Sequence, residues 1–249
     1  MPARSSDSVL KNTAELKKAL EDRALTTKQR LWLFGLNFIP LIHLASIMAV
    51  ALLTPAEALW RVLAAVAGLY LTPPLFARAV RALCEIPEGK IPLASRAFFA
   101  WWTLFQLQMI FCRVPQFEEI LRLVPGAYSA WLRLWGARIG RLTFWSPGTM
   151  ILDRPFLLVG DDVVFGAGVH VNPHVLAKNS SGELELILGR VKIGDRATVG
   201  GYSLLTAGSE IAPDEDPRAL LVLPPFSIWK NGKRIRATDD AHVNLRLPR

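Results

Sequence analysis

Apolar and polar positions follow two different regimes along the chain. The first is long apolar runs. Leu31 to Leu53 holds no Asp, Glu, Lys or Arg, and about 20 such residues suffice to cross the hydrocarbon core of a bilayer. Asn37, Pro40, His43 and Ser46 interrupt it; polar side chains at that depth face other protein or water. A buried core helix is the alternative for this run. Thr54-Pro55-Ala56-Glu57 reads as a turn, and Ala58 to Ala77 as a second apolar run, broken at Pro73-Pro74. Together they predict a helical hairpin through a membrane. Lys28 and Arg30 stand before the pair, Arg78 and Arg81 after it. By the bias of basic residues both ends lie in the cytoplasm.

Shorter elements surround this hairpin. Residues 1–30 are polar and basic, with Leu10, Ala14, Leu16 and Leu20 in a weak helical pattern. They suit a cytoplasmic helix at a membrane surface, not a secretory signal. Arg81 to Arg96 is a proline-containing connector. Ala97 to Cys112 is apolar and aromatic but short for a span, and reads as an interfacial or re-entrant helix. Phe117 to Leu123 and Tyr128 to Trp135 are two short amphipathic pieces, with Arg122, Arg133, Arg138 and Arg141 expected among lipid headgroups.

The second regime begins near Ile139, where core positions recur every six residues: Ile139, Trp145, Ile151, then Val159, Phe165, Val171, then Ile193, Val199, Leu205. A helix needs a period near 3.6 and an ordinary strand needs 2. A repeat of six marks a parallel β-helix, in which each block is one short strand and one corner. The first residue points into a narrow core, and the glycine that usually follows it is expected where the chain turns tightly. Leu157-Leu158 slips the register by two. Residues 177–186 break it again and read as a loop or hairpin extruded from a corner. Leu220 to Leu223 reads as a last strand, after which Pro224 to Arg234 leaves the β-helix. The predicted divisions are a basic helix over 1–30, membrane and interfacial helices over 31–136, the β-helix over 137–236 and a polar tail over 237–249.

Composition adds partners. The chain of 249 residues is 51% hydrophobic and carries a formal charge of +8. Such a charge suits nucleic acid, anionic lipid or an anionic cofactor; the apolar runs favour lipid and cofactor, and no nucleic-acid motif is present. Cys84 and Cys112 are far apart and beside apolar segments, which fits a reducing compartment and no metal cluster. Asp161, Asp162 and Asp195 fall at corners, as turn formers.

The six-residue blocks over about residues 132–236 resemble the hexapeptide-repeat acyltransferases, whose fold is a left-handed parallel β-helix. Trp131 to Gly140 is similar to the lead-in of members that follow a membrane segment. Pro225-Phe226-Ser227-Ile228-Trp229-Lys230 looks like a degraded exit motif that keeps only its lysine. The layout of membrane helices followed by a β-helix is similar to the C-terminal units of poly-ε-lysine-type peptide synthetases, where a histidine is expected just before the extruded segment. His174 stands there.

The resemblance implies a homotrimer with active sites in the grooves between subunits, acyl-CoA lying along each groove, and a histidine as general base. The donor is acyl-CoA or a carrier-protein thioester. The acceptor is a hydroxyl or amine on a lipid-linked or small molecule, with a carrier protein or peptide synthetase as a possible partner. The implied location is the inner membrane, multi-pass, with the catalytic domain on the cytoplasmic face. Of the four histidines, His43 lies in a membrane run and His242 in the tail. His174 is the candidate base and His170 a candidate at the substrate; as two surface histidines they would need no role. Asp153 and Asn172 are candidates to orient an imidazole or touch substrate. Gly200 and Gly201 offer N–H groups for an oxyanion or serve simply as corner glycines. Lys230, Lys233 and Arg234 suit the phosphates of CoA, or solvent and headgroups. Zinc chemistry of the kind some left-handed β-helices perform needs three converging histidines, and His170 and His174 have no third. The alternative to an enzyme is a trimeric membrane scaffold built on the same β-helix.

Overall fold

The computed structural model describes residues 25–178, 182 and 184–236; the basic segment before residue 25, most of the turn after Lys178, and the tail with His242 lie outside the described residues. Helix α1 (Thr27–Leu36) opens on Thr26, whose side chain accepts from the Gln29 N–H while Gln29 reaches back to Thr26, a capping box. Asn37-Phe38 forms a short turn, and α2 (Ile39–Leu53) carries Pro40 in its first turn, where no N–H is needed. α3 is Ala58–Leu83. The segments Thr27–Leu53 and Ala58–Leu83 are long and apolar enough to cross a membrane. Large apolar side chains such as Leu31, Trp32, Leu41, Leu53, Trp60 and Phe76 are more than half exposed on them, as a surface facing lipid would be.

Helix α3 does not break at Pro73-Pro74; it continues to Leu83. Pro74 cannot donate to the Tyr70 carbonyl four residues back. Trp131 Nε1 donates to that carbonyl instead, at 2.8 Å, so the carbonyl freed by Pro74 finds its donor outside the helix.

Strand β1 (Gly89–Pro92) leads to α4 (Arg96–Arg113), capped by Ser95, which accepts from the Phe98 N–H at 3.1 Å. The sequence suggested a helix at a lipid surface. Instead Phe98, Ala100, Trp101, Leu104, Gln106, Gln108, Met109, Ile110 and Phe111 are buried, between the hairpin on one side and the β-helix on the other. Gln106 Nε2 and Trp102 Nε1 both donate to Asn37 Oδ1 at the α1–α2 turn (2.9 and 3.2 Å). α5 (Gln116–Arg122) and α6 (Ala127–Trp135) follow. Arg122 is buried in ion pairs with Glu118 and Glu119, not placed for headgroups as the sequence suggests, while the exposed Arg133 donates to the carbonyls of Ile139 and Gly140.

From Arg138 the chain winds around three parallel sheets. The first holds β2 (Arg138–Ile139), β5 (Leu157–Val159), β10 (Val191–Ile193), β13 (Glu210–Ile211) and β15 (Ser227–Lys230). The second holds β3 (Phe144–Trp145), β6 (Val164–Phe165) and β11 (Thr198–Val199); the third holds β4 (Met150–Ile151), β7 (His170–Asn172), β12 (Leu204–Thr206) and β14 (Val222–Leu223). Matching positions of successive coils stack: Ile139 on Val159, Trp145 on Phe165, Ile151 on Val171, Val171 on Leu205. Trp145 and Phe165 lie face to face at 4.4 Å, and Ile151, Val171, Leu205 and Leu223 are wholly buried. This stacked column is the core that the six-residue period encodes.

The second-position glycines serve stacking rather than a left-handed turn. A Cβ on Gly160 would run into Asp195 Oδ1 and lie 2.7 Å from Asp195 N. Left-handed conformations fall elsewhere, at Leu142, Asp162, Arg196 and Asp214, which stack at one corner with φ between 51 and 62°. There Asp161 Oδ1 accepts from Arg141 N–H (2.6 Å) and Asp195 Oδ1 from Asp161 N–H (2.8 Å), so the aspartates tie one coil to the next.

Two excursions leave the coil. β8 (His174–Lys178) and β9 (Leu184–Leu188) form an antiparallel hairpin, which β1 joins as a third strand along β9. At the far end the chain does not leave at Pro224: β15 stays in the first sheet beside β13, and β16 (Lys233–Arg236) folds back on it. Asn231 and Gly232 have φ of 54 and 69°, the two left-handed residues of a tight hairpin turn.

Candidate active site

Both breaks in the six-residue period fall at the same corner, between the third sheet and the first. In one coil Arg154–Phe156 inserts a short 3-10 turn between β4 and β5. In the next coil the hairpin β8–β9 is extruded between β7 and β10. Ile151 pairs with Val171, so Asp153 sits beneath Pro173, and its carboxylate reaches the following residue, His174.

His174 Nδ1 donates to Asp153 Oδ2. The other carboxylate oxygen, Oδ1, accepts from Trp101 Nε1 at 2.8 Å. Asp153 and Trp101 are buried (1% and 0% exposed), whereas the His174 side chain retains 15% exposure. The imidazole is held between rings of α4: Trp101 at 5.0 Å and Phe105 at 5.1 Å, both edge-on. A carboxylate only accepts, so Nδ1 carries the hydrogen and Nε2 is the nitrogen left to take a proton. Burial pulls the imidazole pKa down, but the Asp153 charge and hydrogen bond outweigh it, and the group titrates above its usual value.

The next residue anchors Asp153. Arg154 is fully buried. Its N–H and guanidinium both donate to Gln108 Oε1 (2.8 and 3.0 Å), and the guanidinium pairs with Glu118. It also lies 5.3 Å from the Trp131 ring and 5.6 Å from those of Phe111 and Trp135. Glu118 in turn accepts from Tyr128 Oη at 2.5 Å and from Arg122 at 3.1 Å. Burial, with the neighbouring Glu118 charge, pushes the Tyr128 phenol well above its ordinary value, so Tyr128 is a fixed donor. Asp153 itself takes a left-handed backbone (φ 46°, ψ 52°). The carboxylate thus stands on a turn clamped by α4, α5 and α6.

The other candidates are scattered. His170 is exposed on the outer face of the third sheet, in register with Met150 and Leu204. Asn172 is half-buried beside Thr206, and its Oδ1 is buried without a hydrogen-bond partner. Gly200 and Gly201 occupy the corner between β11 and β12, a different corner from that of His174. A Cβ on Gly200 would lie 2.5 Å from Ala219 N, so close stacking accounts for the glycine. Lys230, Lys233 and Arg234 are exposed around the turn of the terminal hairpin. Among the described residues no group of three or more His, Cys, Asp or Glu could hold a metal ion. Trp101 and Phe105 carried no sequence signal as site residues beyond an indole N–H inside an apolar run, which needs a partner when buried.

No family model matches the chain, and a search of curated proteins finds no match. Among solved structures it is similar to a maltose O-acetyltransferase from Clostridium difficile (16% identity over 51% of this chain and 87% of that one, TM-score 0.35). It is also similar to a hexapeptide-repeat-containing acetyltransferase from Vibrio cholerae (16%, 52% and 91%, 0.33) and to a galactoside acetyltransferase in complex with coenzyme A (13%, 51% and 81%, 0.33). The coverage is about half of this chain in each case, and at these scores the coil stands on its own strand pairing.

Proposed function

We propose that the chain is a membrane-anchored acyltransferase of the hexapeptide class. In this reading the β-helix is left-handed, assembles as a homotrimer and lies on the cytoplasmic face of the inner membrane. The observation that supports it is the Asp153–His174 pair, set at the one corner where two successive coils break their period. Nε2 of His174 removes the proton from an acceptor hydroxyl or amine as its oxygen or nitrogen bonds to the thioester carbonyl carbon. Collapse of the tetrahedral intermediate breaks the carbon–sulfur bond, and the imidazolium returns the proton to the departing thiolate. Asp153 fixes the tautomer and stabilises the imidazolium. Acyl-CoA is the donor of choice, with Lys230, Lys233 and Arg234 as cations for its phosphates and His170 and Asn172 toward the acceptor. Membrane anchoring favours a lipid-linked acceptor.

The test uses the purified, detergent-solubilised full chain with a panel of acyl-CoA donors and hydroxyl or amine acceptors, lipid-linked ones included, and follows thiol release. His174→Ala is expected to lose about 10²–10⁴ of the rate while oligomer and membrane association survive. Undiminished turnover in that variant removes the base assignment. Absence of turnover by the unaltered protein across the panel favours the non-catalytic scaffold.

A further inference from the structure

Asp153 faces two donors, and only one of them belongs to the β-helix. His174 Nδ1 takes Oδ2, and Trp101 Nε1 takes Oδ1 at 2.8 Å from the middle of α4. Trp101 has no exposed surface. Its ring is held by Phe98 (5.5 Å), Trp102 (5.7 Å) and Phe105 (5.4 Å) on the same helix, so its N–H has a fixed direction. The same ring also touches the imidazole it serves through the carboxylate. α4 is tied in turn to the first membrane segment, through Gln106 and Trp102 donating to Asn37.

We propose that Trp101 is a positioning residue for the proposed reaction: its indole N–H holds the Asp153 carboxylate in the rotation that presents Oδ2 to His174. The catalytic pair is therefore completed by a helix of the membrane-associated half, not by the β-helix alone. A buried carboxylate held by one donor can rotate about its side-chain torsion, which is broad for Asp. The second donor stops that rotation. It also draws charge toward Oδ1, away from the oxygen that faces the imidazole. Removal of the indole N–H has two consequences with separate signatures. The rate falls because the imidazole is less well oriented. The His174 pKa rises further, because a carboxylate with one donor fewer stabilises the imidazolium more strongly.

This proposal rests on His174 acting as base, and the experiment separates the two. Trp101→Phe keeps an aromatic ring and removes the donor. Rates of thioester consumption are measured against pH on the full chain in detergent. With Trp101→Phe, kcat is expected to fall roughly tenfold, about the worth of one hydrogen bond to a charged group, with KM nearly constant and the acid limb displaced to higher pH. In the Asp153→Ala background, Trp101→Phe should cost nothing further in kcat. Should Trp101→Phe fail to fold, replacement by benzothienylalanine, which puts sulfur where the N–H stood, keeps the shape and is expected to give the same displaced limb. An unmoved acid limb, or an undiminished cost of Trp101→Phe in the Asp153→Ala background, overturns the positioning role while His174→Ala still abolishes turnover. Full activity in His174→Ala overturns the underlying reading instead.

Discussion

The substitution Asp153→Asn interrogates the proposed base most directly, because shape is nearly conserved and only the pattern of donors and acceptors changes. Both groups facing the side chain are donors, Trp101 Nε1–H and His174 Nδ1–H. A carboxylate offers an acceptor to each; an amide offers one acceptor and one NH₂. With its oxygen toward the indole, the amide presents NH₂ to Nδ1, which must then accept. The imidazole hydrogen moves to Nε2, the nitrogen needed as the base. With the oxygen toward His174, NH₂ opposes the indole N–H in a buried site, and an unpaired buried donor costs about 1–3 kcal/mol. The first arrangement therefore dominates, and the rate falls by about 10³–10⁴, the scale of a lost general base held in the wrong tautomer. At 1.36 kcal/mol per tenfold change, that is about 4–5.5 kcal/mol of barrier. The pH profile carries an independent sign. In the proposed reaction the active form is neutral His174, so turnover in the unaltered protein is expected to decline as pH falls through a pKa that Asp153 holds above the ordinary histidine value against the effect of burial. In Asp153→Asn burial remains and the charge is gone, so the acid limb of the residual rate moves to lower pH. The assay is kcat and kcat/KM for thioester consumption across pH, with circular dichroism and oligomer size as controls on folding. A variant within about threefold of full kcat, or with an acid limb at the same or a higher pH, refutes the role given to Asp153.

Two further outcomes test what supports the site. Glu118→Gln leaves Arg154 buried without its counter-charge, which should cost about 3–5 kcal/mol, read as a lowered thermal midpoint in detergent; an unchanged midpoint denies that this pair clamps the turn beneath Asp153. Gly160→Ala forces a Cβ against Asp195 of the next coil, 2.7 Å from its N, and overpacking of this kind costs about 1–3 kcal/mol; a midpoint equal to that of the unaltered protein shows that the corner can open without penalty.

The coil was legible because its core is a single column. One position in six must be apolar in every turn, and Ile139, Trp145, Ile151, Val159, Phe165 and Val171 carry that demand without exception. The end of the coil is disguised for a local reason. Pro224-Pro225 looks like a stop, yet Asn231-Gly232 is a hairpin signal in plain view, and it returns the chain onto the first sheet. The glycine positions are visible in the sequence but their cause is not: the demand is contact between stacked corners, a relation between residues a full coil apart.

The site was half legible, and what was missing follows from physics. The register slip at Leu157-Leu158 and the extrusion after His174 were visible separately. Carrying the slip of two through the count places Asp153 under Pro173 and hence against His174, so the pair could have been derived from the period alone. Trp101 could not. An apolar, aromatic helix is equally satisfied by lipid and by protein, since both remove its surface from water, and periodicity does not tell them apart. The discriminating residues are polar. Gln106 and Gln108 cannot be left unpaired in either medium, and in the structure they bond to Asn37 and Arg154, one toward each half of the molecule. Two glutamines inside an aromatic run therefore mark a helix packed between protein layers, and such a helix is the part of the N-terminal half that reaches the β-helix corner, where Trp101 donates to the Asp153 carboxylate.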